Sequence, residues 1–250
     1  MTRREIAGRY QGSALGFAWS FLNPLLMLVV YTFVFSVVFK ARWDVSAAEE
    51  SRIDFALTLF AGMIVFNLFA EIVNRAPGLI LSNVNYVKKV IFPLEILPVV
   101  STGSTLFHAL MSLLVLFAAQ MLLKGAIAWT ILYLPLVLLP LLLAGLGMSW
   151  CLSALTVYLR DLAHITSVAV TILMFVSAVF FPISALPEQY QVYLRLNPVA
   201  VIVSESRNVI IFGIQPDWSL LGLTLLMGLV VAVLGYVWFQ KARKGFADVL

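Results

Sequence analysis

The sequence predicts an all-α membrane protein whose single transmembrane domain covers residues 1–250 and contains six spans. Composition is the first observation: 62% of the residues are hydrophobic and only 11% are charged, with a mean hydropathy of +1.03. Water-soluble domains of this length do not show that balance. The second observation is the length of the apolar runs, since about 20 helical residues cross a hydrocarbon core of about 30 Å. The third is that basic residues cluster at the ends of those runs.

The chain begins with a basic amphipathic segment that passes into an apolar run without a loop. Residues 1–18 carry three arginines among apolar side chains, which predicts a helix lying in the membrane interface. These arginines fit either a positive-inside topology signal or a docking role. Residues 19–40 form the first predicted span, because no charged residue precedes Lys40 within that run. The run is too long for the apolar core of a signal peptide, so we expect it to remain in the mature chain.

Five further apolar runs are predicted to span the membrane, at residues 55–74, 96–123, 129–158, 165–181 and 220–239. The fourth span has about 30 residues, more than a bilayer needs, so it must tilt, kink or protrude. Pro135 and Pro140 would supply kinks. Small residues recur every four positions in this span and predict a stripe for close helix contact, at Gly145, Ser149 and Ser153.

Residues 83–92, NVNYVKKVIF, fit neither a span nor a plain loop. The Ala76–Pro77–Gly78 break precedes them and Pro93 follows them, which predicts a short helix between two interruptions.

Residues 182–213 form the second irregular segment, between the fifth and sixth spans. Their apolar run from Val199 to Phe212 has 14 residues, too few to span and too apolar for an exposed loop. We therefore expect a re-entrant or interfacial helix there. Start and stop signals flank it: Asn197 as N-cap, Pro198 at the first helical position and Gly213 beyond the end.

Six spans place both termini on one side, and the distribution of Lys and Arg decides which side. Ten basic residues fall on the side of the termini and six on the other, of 16 in the chain. The positive-inside rule therefore predicts that the termini and residues 83–92 are cytoplasmic. Basic residues at span ends would contact anionic lipid headgroups, so the net charge of +4 does not indicate nucleic-acid binding.

The sequence shows no pattern for catalysis, for a metal or for a cofactor. It lacks both HExxH and the phosphate-binding GxxxxGK[ST]. His108 and His164, the only two histidines, fall on different spans, and the lone Cys151 excludes an intrachain disulfide. The span interiors are almost free of charge, which disfavours a proton- or sodium-coupled carrier.

Aromatic residues make up 13% of the chain, and several fall on the first and fifth spans. Aromatic faces suit sugar rings, whereas aromatics on membrane helices more often face lipid or form interfacial belts. Both interpretations apply to Tyr31, Phe35, Phe39, Phe175 and Phe180.

Four stretches together resemble the transmembrane subunit of bacterial ABC exporters for O-antigen, capsule or teichoic acid, within the type-2 ABC permease family. They occur in the family's order along nearly the whole chain: RREIAGRYQGSALGFAWSFLNPLLMLVVYTFVFS, NVNYVKKVIFPLEILP, YLRDL and LNPVAVIVSESRNVIIFG. The resemblance implies a non-enzymatic homodimer in the bacterial plasma (inner) membrane that exports a lipid-linked polysaccharide. ATP and magnesium would bind to two copies of a separate ATPase subunit.

The resemblance also implies roles for particular residues on the cytoplasmic side. Residues 83–92 resemble the coupling helix that seats in the ATPase, with contacts from Asn83, Tyr86, Lys88, Lys89 and Phe92. Headgroup contact is an equal alternative for the two lysines. The first residues of the chain resemble an interfacial gate helix, where the substrate's diphosphate and first sugars would meet Arg9 and Tyr10. Members of the family often carry more residues before this stretch.

Along the path, the first and fifth spans would line the channel with the five aromatic residues named above. Residues 182–213 would form an external gate that includes Pro187, Glu205 and Arg207. For Glu205 and Arg207 the competing interpretation, which we favour, is solvation at the membrane surface.

Two alternative functions stay open. One is a type-2 ABC permease for a drug or a small lipid, and the other is an intramembrane enzyme acting on lipid-linked sugars. Turnover of such a sugar by the purified chain without any ATPase would favour the enzyme.

Overall fold

The computed structural model describes residues 1–10, 12, 15–34, 52–88 and 92–250. Throughout this part of the chain the regular structure is helical. Among the described residues, five helices are long and apolar enough to cross a membrane: Gly16–Val34, Ile53–Arg75, Ile96–Lys124, Trp129–Tyr158 and Trp218–Gly245. A shorter apolar helix, Leu162–Val176, lies between the fourth and the fifth of them. The predicted all-α membrane fold is thus confirmed, and the chain is an integral membrane protein.

The α-helices are numbered in chain order. They are α1 (Thr2–Tyr10), α2 (Trp19–Tyr31), α3 (Arg52–Arg75), α4 (Gly78–Leu81), α5 (Val84–Lys88), α6 (Ile96–Lys124), α7 (Leu134–Tyr158), α8 (Leu162–Val176), α9 (Glu188–Leu196), α10 (Pro198–Arg207), α11 (Trp218–Ala242) and α12 (Phe246–Val249). Short 3₁₀ turns occur at Gly16–Ala18, Trp129–Tyr133, Ile183–Ala185 and Arg243–Gly245, and a π turn at Asn208–Phe212.

Helix α3 is the centre of the fold. In the apolar stretch of this span, 89% of the residues are buried inside the protein. The corresponding share is 11% in the first span and 28% in the last. Apart from the ends of α3 and a polar strip at Asn67 and Glu71, its side chains are mostly apolar, and a helix of that kind is stable when other helices surround it. Helices α2, α6, α7, α8 and α10 all pack against it. The buried core therefore follows the length of α3.

Helices α7 and α11 form the most extensive helix pair, and glycine sets their separation. A Cβ atom on Gly235 would lie 2.1 Å from the carbonyl oxygen of Gly147, and one on Gly228 would lie 2.6 Å from that of Pro140. Backbone thus lies directly on backbone, as in the close small-residue contacts of membrane helices. The predicted stripe at Gly145, Ser149 and Ser153 is buried as well. Gly145 faces α3, where a Cβ would lie 3.3 Å from a side-chain carbon of Ile72.

Helix α8 has only 15 residues, which corresponds to a length of about 22 Å. The predicted fifth span, residues 165–181, begins three residues after α8 begins and continues past its end at Val176. The chain turns out of the helix at Ser177 and Ala178, and Ala178 has a positive φ of 52°. Apolar residues continue through this turn, so hydropathy alone does not reveal it.

Candidate functional site

Helix α1 lies against the first part of α6 and is tied to the end of α3. The Glu5 carboxylate accepts a hydrogen bond from the Arg75 guanidinium, and Arg75 also lies 3.8 Å from Glu71 on its own helix. Thr2 packs over Gly103, where a Cβ would approach its side chain to 3.2 Å. The pairing of Glu71 with Arg75, four residues apart, follows from helical spacing. The pairing with Glu5 joins residues 70 positions apart, for which the sequence has no local signal.

A disulfide between positions 2 and 103 is expected to lock α1 onto α6. A Cβ on Gly103 would lie 3.9 Å from the Thr2 Cβ, within the range of about 3.5–4.5 Å that a disulfide requires. We expect Thr2→Cys/Gly103→Cys, in a Cys151→Ser background, to oxidise almost completely in isolated membranes. A gel shift with maleimide-polyethylene glycol measures the remaining thiols. The pair Thr2→Cys/Gly222→Cys is the control, and equal oxidation of both pairs would contradict the docked position of α1.

The segment predicted to couple to an ATPase folds as a turn followed by α5. The side-chain amide of Asn83 donates to the Leu79 carbonyl at 2.9 Å and thereby holds the turn between α4 and α5. The rings of Tyr86 and Phe92 stack with centroids 4.9 Å apart at an interplanar angle of 27°. Of the two predicted lysines, Lys88 ends α5 and Lys89 lies outside the described residues. The stack brings α5 close to the residue just before Pro93.

A small apolar cluster lies beneath this stack. It joins the coupling segment to the ends of α7 and α11 and to α12, through Ile80, Leu94, Ala154, Val157, Phe239 and Phe246. Tyr86 and Phe92 are partly buried against it. The stacked rings therefore pack against side chains from the ends of two spans.

Polar contacts around Glu95 reinforce this junction. The Trp150 indole donates to the Glu95 backbone oxygen at 3.0 Å, and the Arg243 guanidinium donates to the Glu95 carboxylate at 2.8 Å. Burial raises the pKa of Glu95, but a backbone hydrogen bond and the charge of Arg243 outweigh it, so the net pKa is lowered. The carboxylate therefore stays ionised and keeps α6 joined to α11.

Two of the predicted channel aromatics, Tyr31 and Phe175, lie on helices that flank α3. Tyr31 ends α2 and is partly buried, while Phe175 on α8 is 58% exposed. Phe180 follows the break after α8, and its ring lies 5.6 Å from that of Phe175. Phe35 and Phe39 lie outside the described residues. The outer faces of α2 and α8 are apolar and exposed, which suits contact with lipid or with another protein surface.

Arg207 and Glu205 of the predicted external gate are buried. Only 3% of Arg207 and 7% of Glu205 is exposed, so the interpretation that they are solvated at the membrane surface is wrong. The reason is that α10 packs inside the protein against α3 and α7 and does not lie on its surface. Pro187 is one helix away, at the start of α9.

The Arg207 guanidinium ties α10 to α3 and to the turn after α8 by donating to three backbone carbonyls. Its Nε donates to Thr58 of α3 at 3.0 Å, and its two Nη atoms donate to Ala178, at 2.8 Å, and to Val179. The guanidinium also lies directly over Gly62, where a Cβ would approach it to 2.1 Å. Any larger residue at position 62 would occupy the space of this charged group.

Asn197, at the start of α10, also caps the end of α8. Its side chain accepts from the Val199 N–H at 3.0 Å, as predicted for an N-cap, and donates to the Val176 carbonyl at 3.1 Å. The last carbonyls of a helix lack partners within that helix and are costly to leave unsatisfied in an apolar environment. Asn197 supplies such a partner for the last residue of α8, and Arg207 supplies donors for the two carbonyls of the turn that follows, at Ala178 and Val179, which explains how α8 can end after 15 residues.

Glu205 connects α10 to the start of α11. Its carboxylate accepts from the Asp217 N–H at 3.1 Å, and the Asp217 side chain accepts from Ser219 N–H at 2.9 Å as the N-cap of α11. The external segment is therefore joined by polar contacts to α3, α8 and α11.

Arg9 and Tyr10, predicted to meet the substrate, form the last turn of α1. The structure thus places the predicted residues that it describes at four locations: the end of α1, the coupling segment, the aromatic residues on and just after α2 and α8, and the junction around α10. Within the described ranges, no group of three or more His, Cys, Asp and Glu side chains converges as a metal site requires.

Comparison with known proteins gives matches along the whole chain. The sequence model of the ABC-2 type transporter family matches residues 1–211. The O-antigen export system permease protein RfbA of Myxococcus xanthus is 27% identical over 250 residues, covering 99% of this chain and 93% of that protein. RfbA of Klebsiella pneumoniae is 21% identical, covering 100% and 93%, and the polysialic acid transport protein KpsM of Escherichia coli is 25% identical, covering 96% and 91%.

Proposed function

The chain belongs to the ABC-2 type transporter family, and from that premise we propose that it is the permease subunit of an ATP-driven exporter of lipid-linked polysaccharide. The observation that carries this proposal is the nearly end-to-end match to O-antigen export permeases and a polysialic acid transport protein from three bacteria. A chain that matched such proteins over one segment only would share a fold element and no more. The exported material would be of the O-antigen, capsule or teichoic acid type.

The energy source lies on another chain in this proposal. The sequence has no GxxxxGK[ST] loop, so ATP and magnesium bind to a separate ATPase subunit, present in two copies. The permease itself is no enzyme. Asn83, the Tyr86–Phe92 stack, Lys88 and Lys89 form the docking surface for that subunit. The apolar cluster under the stack transmits its movement to α7 and α11.

Two copies of the chain form the channel. A two-fold axis lets α2 and α8 of each protomer face the other copy, which turns their exposed apolar faces toward an enclosed path. Tyr31, Phe35, Phe39, Phe175 and Phe180 line this path and contact sugar rings. Arg9 and Tyr10 receive the substrate at its inner end, and the segment with Pro187, Glu205 and Arg207 closes its outer end. The dimer lies in the bacterial inner membrane among its lipids, with both termini in the cytoplasm.

Co-purification tests this function. From detergent-solubilised native membranes we expect the tagged chain to retain an ATPase subunit, and Lys88→Glu/Lys89→Glu to lower that retention at least about tenfold through charge reversal at the docking surface. Lys241→Glu, an exposed lysine at the end of α11, is the matched control and should retain the ATPase. Recovery of the chain without any ATPase would contradict the proposal, as would normal surface polysaccharide in a strain that lacks the gene.

A further inference from the structure

A polar cavity of about 240 Å³ lies between α2, α3 and α6, within a single copy of the chain. All three helices contribute polar side chains to it, and two aromatic side chains of α2 complete the wall. The lining residues that matter here are Trp19, Asn23, Tyr31, Asn67, Glu71 and His108. The side chains of Asn23 and Asn67 are exposed. The cavity is thus accessible to a ligand.

Helical spacing explains how these side chains converge. On α2, Trp19, Asn23 and Tyr31 are four and eight residues apart, which places them on one face. On α3, Asn67 and Glu71 are also four residues apart.

Polar groups at such a depth are costly unless the protein uses them. Glu71 lies one turn before Arg75 at the α1 end of its span, and the cavity runs from there toward Phe60, eleven residues deeper along α3. An ionisable or amide side chain within a span indicates a binding or transport role by default. A wall with several such groups, contributed by three separate helices, is a stronger indication than one residue would be.

The donor and acceptor set decides which ligand fits. The amides of Asn23 and Asn67 each donate and accept hydrogen bonds, and the Glu71 carboxylate accepts them. The rings of Trp19 and Tyr31 offer apolar faces. None of the described lining residues is Lys or Arg, and the Arg75 guanidinium near Glu71 is already paired with the Glu5 carboxylate. A neutral ring with several hydroxyl groups uses the amides, the carboxylate and the aromatic faces, whereas a diphosphate can only accept from the amides.

From this chemistry we propose that the cavity between α2, α3 and α6 is a binding subsite for one neutral, hydroxyl-rich sugar of the exported polymer. The proposal rests on the proposed function. The volume of about 240 Å³ is below the roughly 300–1,000 Å³ of sites for drug-sized ligands, so it suits one ring and excludes a whole repeat unit. Recognition of sugar would then occur inside each protomer, beside the path between the two copies.

Equilibrium binding of two probes tests the subsite. The permease–ATPase complex is placed in nanodiscs of phosphatidylethanolamine and phosphatidylglycerol, so that no sugar detergent competes. The first probe is the strain's own polysaccharide, freed of its lipid diphosphate by mild acid and labelled at the reducing end for fluorescence anisotropy. The second is farnesyl diphosphate, which carries the diphosphate without sugar.

We expect Asn67→Ala to weaken polysaccharide binding about five-fold and Asn23→Ala/Asn67→Ala about twenty-fold, since each amide supplies one or two hydrogen bonds. Farnesyl diphosphate should bind both variants as it binds the wild type. Gln240→Ala, which removes an amide at the end of α11, is the matched control for polysaccharide binding. Retention of the ATPase shows that each variant is folded.

Three outcomes would overturn the subsite. If Asn23→Ala/Asn67→Ala bound polysaccharide as the wild type does, the subsite would be refuted and the proposed function would be unaffected. If the double variant bound farnesyl diphosphate more weakly but polysaccharide normally, the cavity would be a site for the lipid diphosphate instead. If the wild-type complex bound no polysaccharide, the subsite would fail, whereas the proposed function would still be judged by retention of the ATPase subunit.

Discussion

Arg207→Ala is expected to destabilise the protein by at least about 3 kcal/mol, because three buried carbonyls lose their donor and each costs about 1–3 kcal/mol. These carbonyls belong to Thr58, Ala178 and Val179. The expected drop in Tm for a chain of 250 residues is at least about 6 °C. Thermal unfolding of the purified protein, followed by fluorescence-detected size exclusion, measures this change.

Two further variants separate the hydrogen bonds from the charge. Arg207→Lys keeps the charge but lacks the planar guanidinium that reaches three carbonyls. Its Tm should therefore lie between those of the wild type and Arg207→Ala. Arg195→Ala removes an exposed arginine from the last turn of α9 and should change stability by no more than about 0.5 kcal/mol. Equal Tm values for Arg207→Ala and Arg195→Ala would contradict the buried hydrogen-bond network.

The Arg207 network also fixes the geometry of two predicted channel aromatics. Phe175 lies on α8 and Phe180 follows the break, so their mutual position depends on the turn at Ala178. A positive φ at a residue with a Cβ is uncommon and persists only where the surroundings hold it. Arg207 binds both Ala178 and Val179 from outside that turn. Its loss should therefore disturb the aromatic pair even in protein that still folds.

Composition and local signals predicted the general fold and the family but not the network around Arg207. Hydropathy identified the five long apolar helices, since burial in lipid and burial in protein both require long apolar runs, but it did not reveal that α8 ends after 15 residues. The cap at Asn197 was also predictable, because it involves residues two positions apart. The donor to Thr58 lies 149 positions away along the chain, and the sequence has no pattern for such a contact. Solvation of Arg207 was expected because a charge near a membrane surface is ordinarily hydrated.

The resemblance to polysaccharide-exporter permeases is confirmed at the level of the family, because the four motif stretches are long and occur in order. The individual roles of Arg9, Tyr10 and the coupling lysines stay predictions, since they depend on a substrate and a second protein. The polar cavity had a sequence signal that was not recognised. Trp19, Asn23 and Tyr31 recur on one helical face, but only the structure shows that α3 and α6 present polar groups to it.

The close contact between α7 and α11 shows how one helix can carry two small-residue faces. Gly145, Ser149 and Ser153 share one face because they are four residues apart, and Gly145 is directed toward α3. Gly147 is two residues further on, about 200° around the helix, and meets α11 instead. A search for one periodic stripe finds the first face and misses the second. On α11 the matching signal is Gly228 and Gly235, seven residues apart.

Gly235→Ala is expected to destabilise the protein by about 3 kcal/mol or more, at the upper end of the range for overpacking, because the new methyl group would meet backbone atoms. Its carbon would lie 2.1 Å from the Gly147 oxygen and 2.7 Å from the Gly147 carbonyl carbon, so α7 and α11 must separate. Gly222→Ala is the matched control on the same helix, where a Cβ meets nothing within 4 Å. Both changes alter helix propensity equally, so the difference between their Tm values reports packing alone. Equal stability of the two variants would contradict the backbone contact and, with it, the rigid α7–α11 pair on which the coupling segment rests.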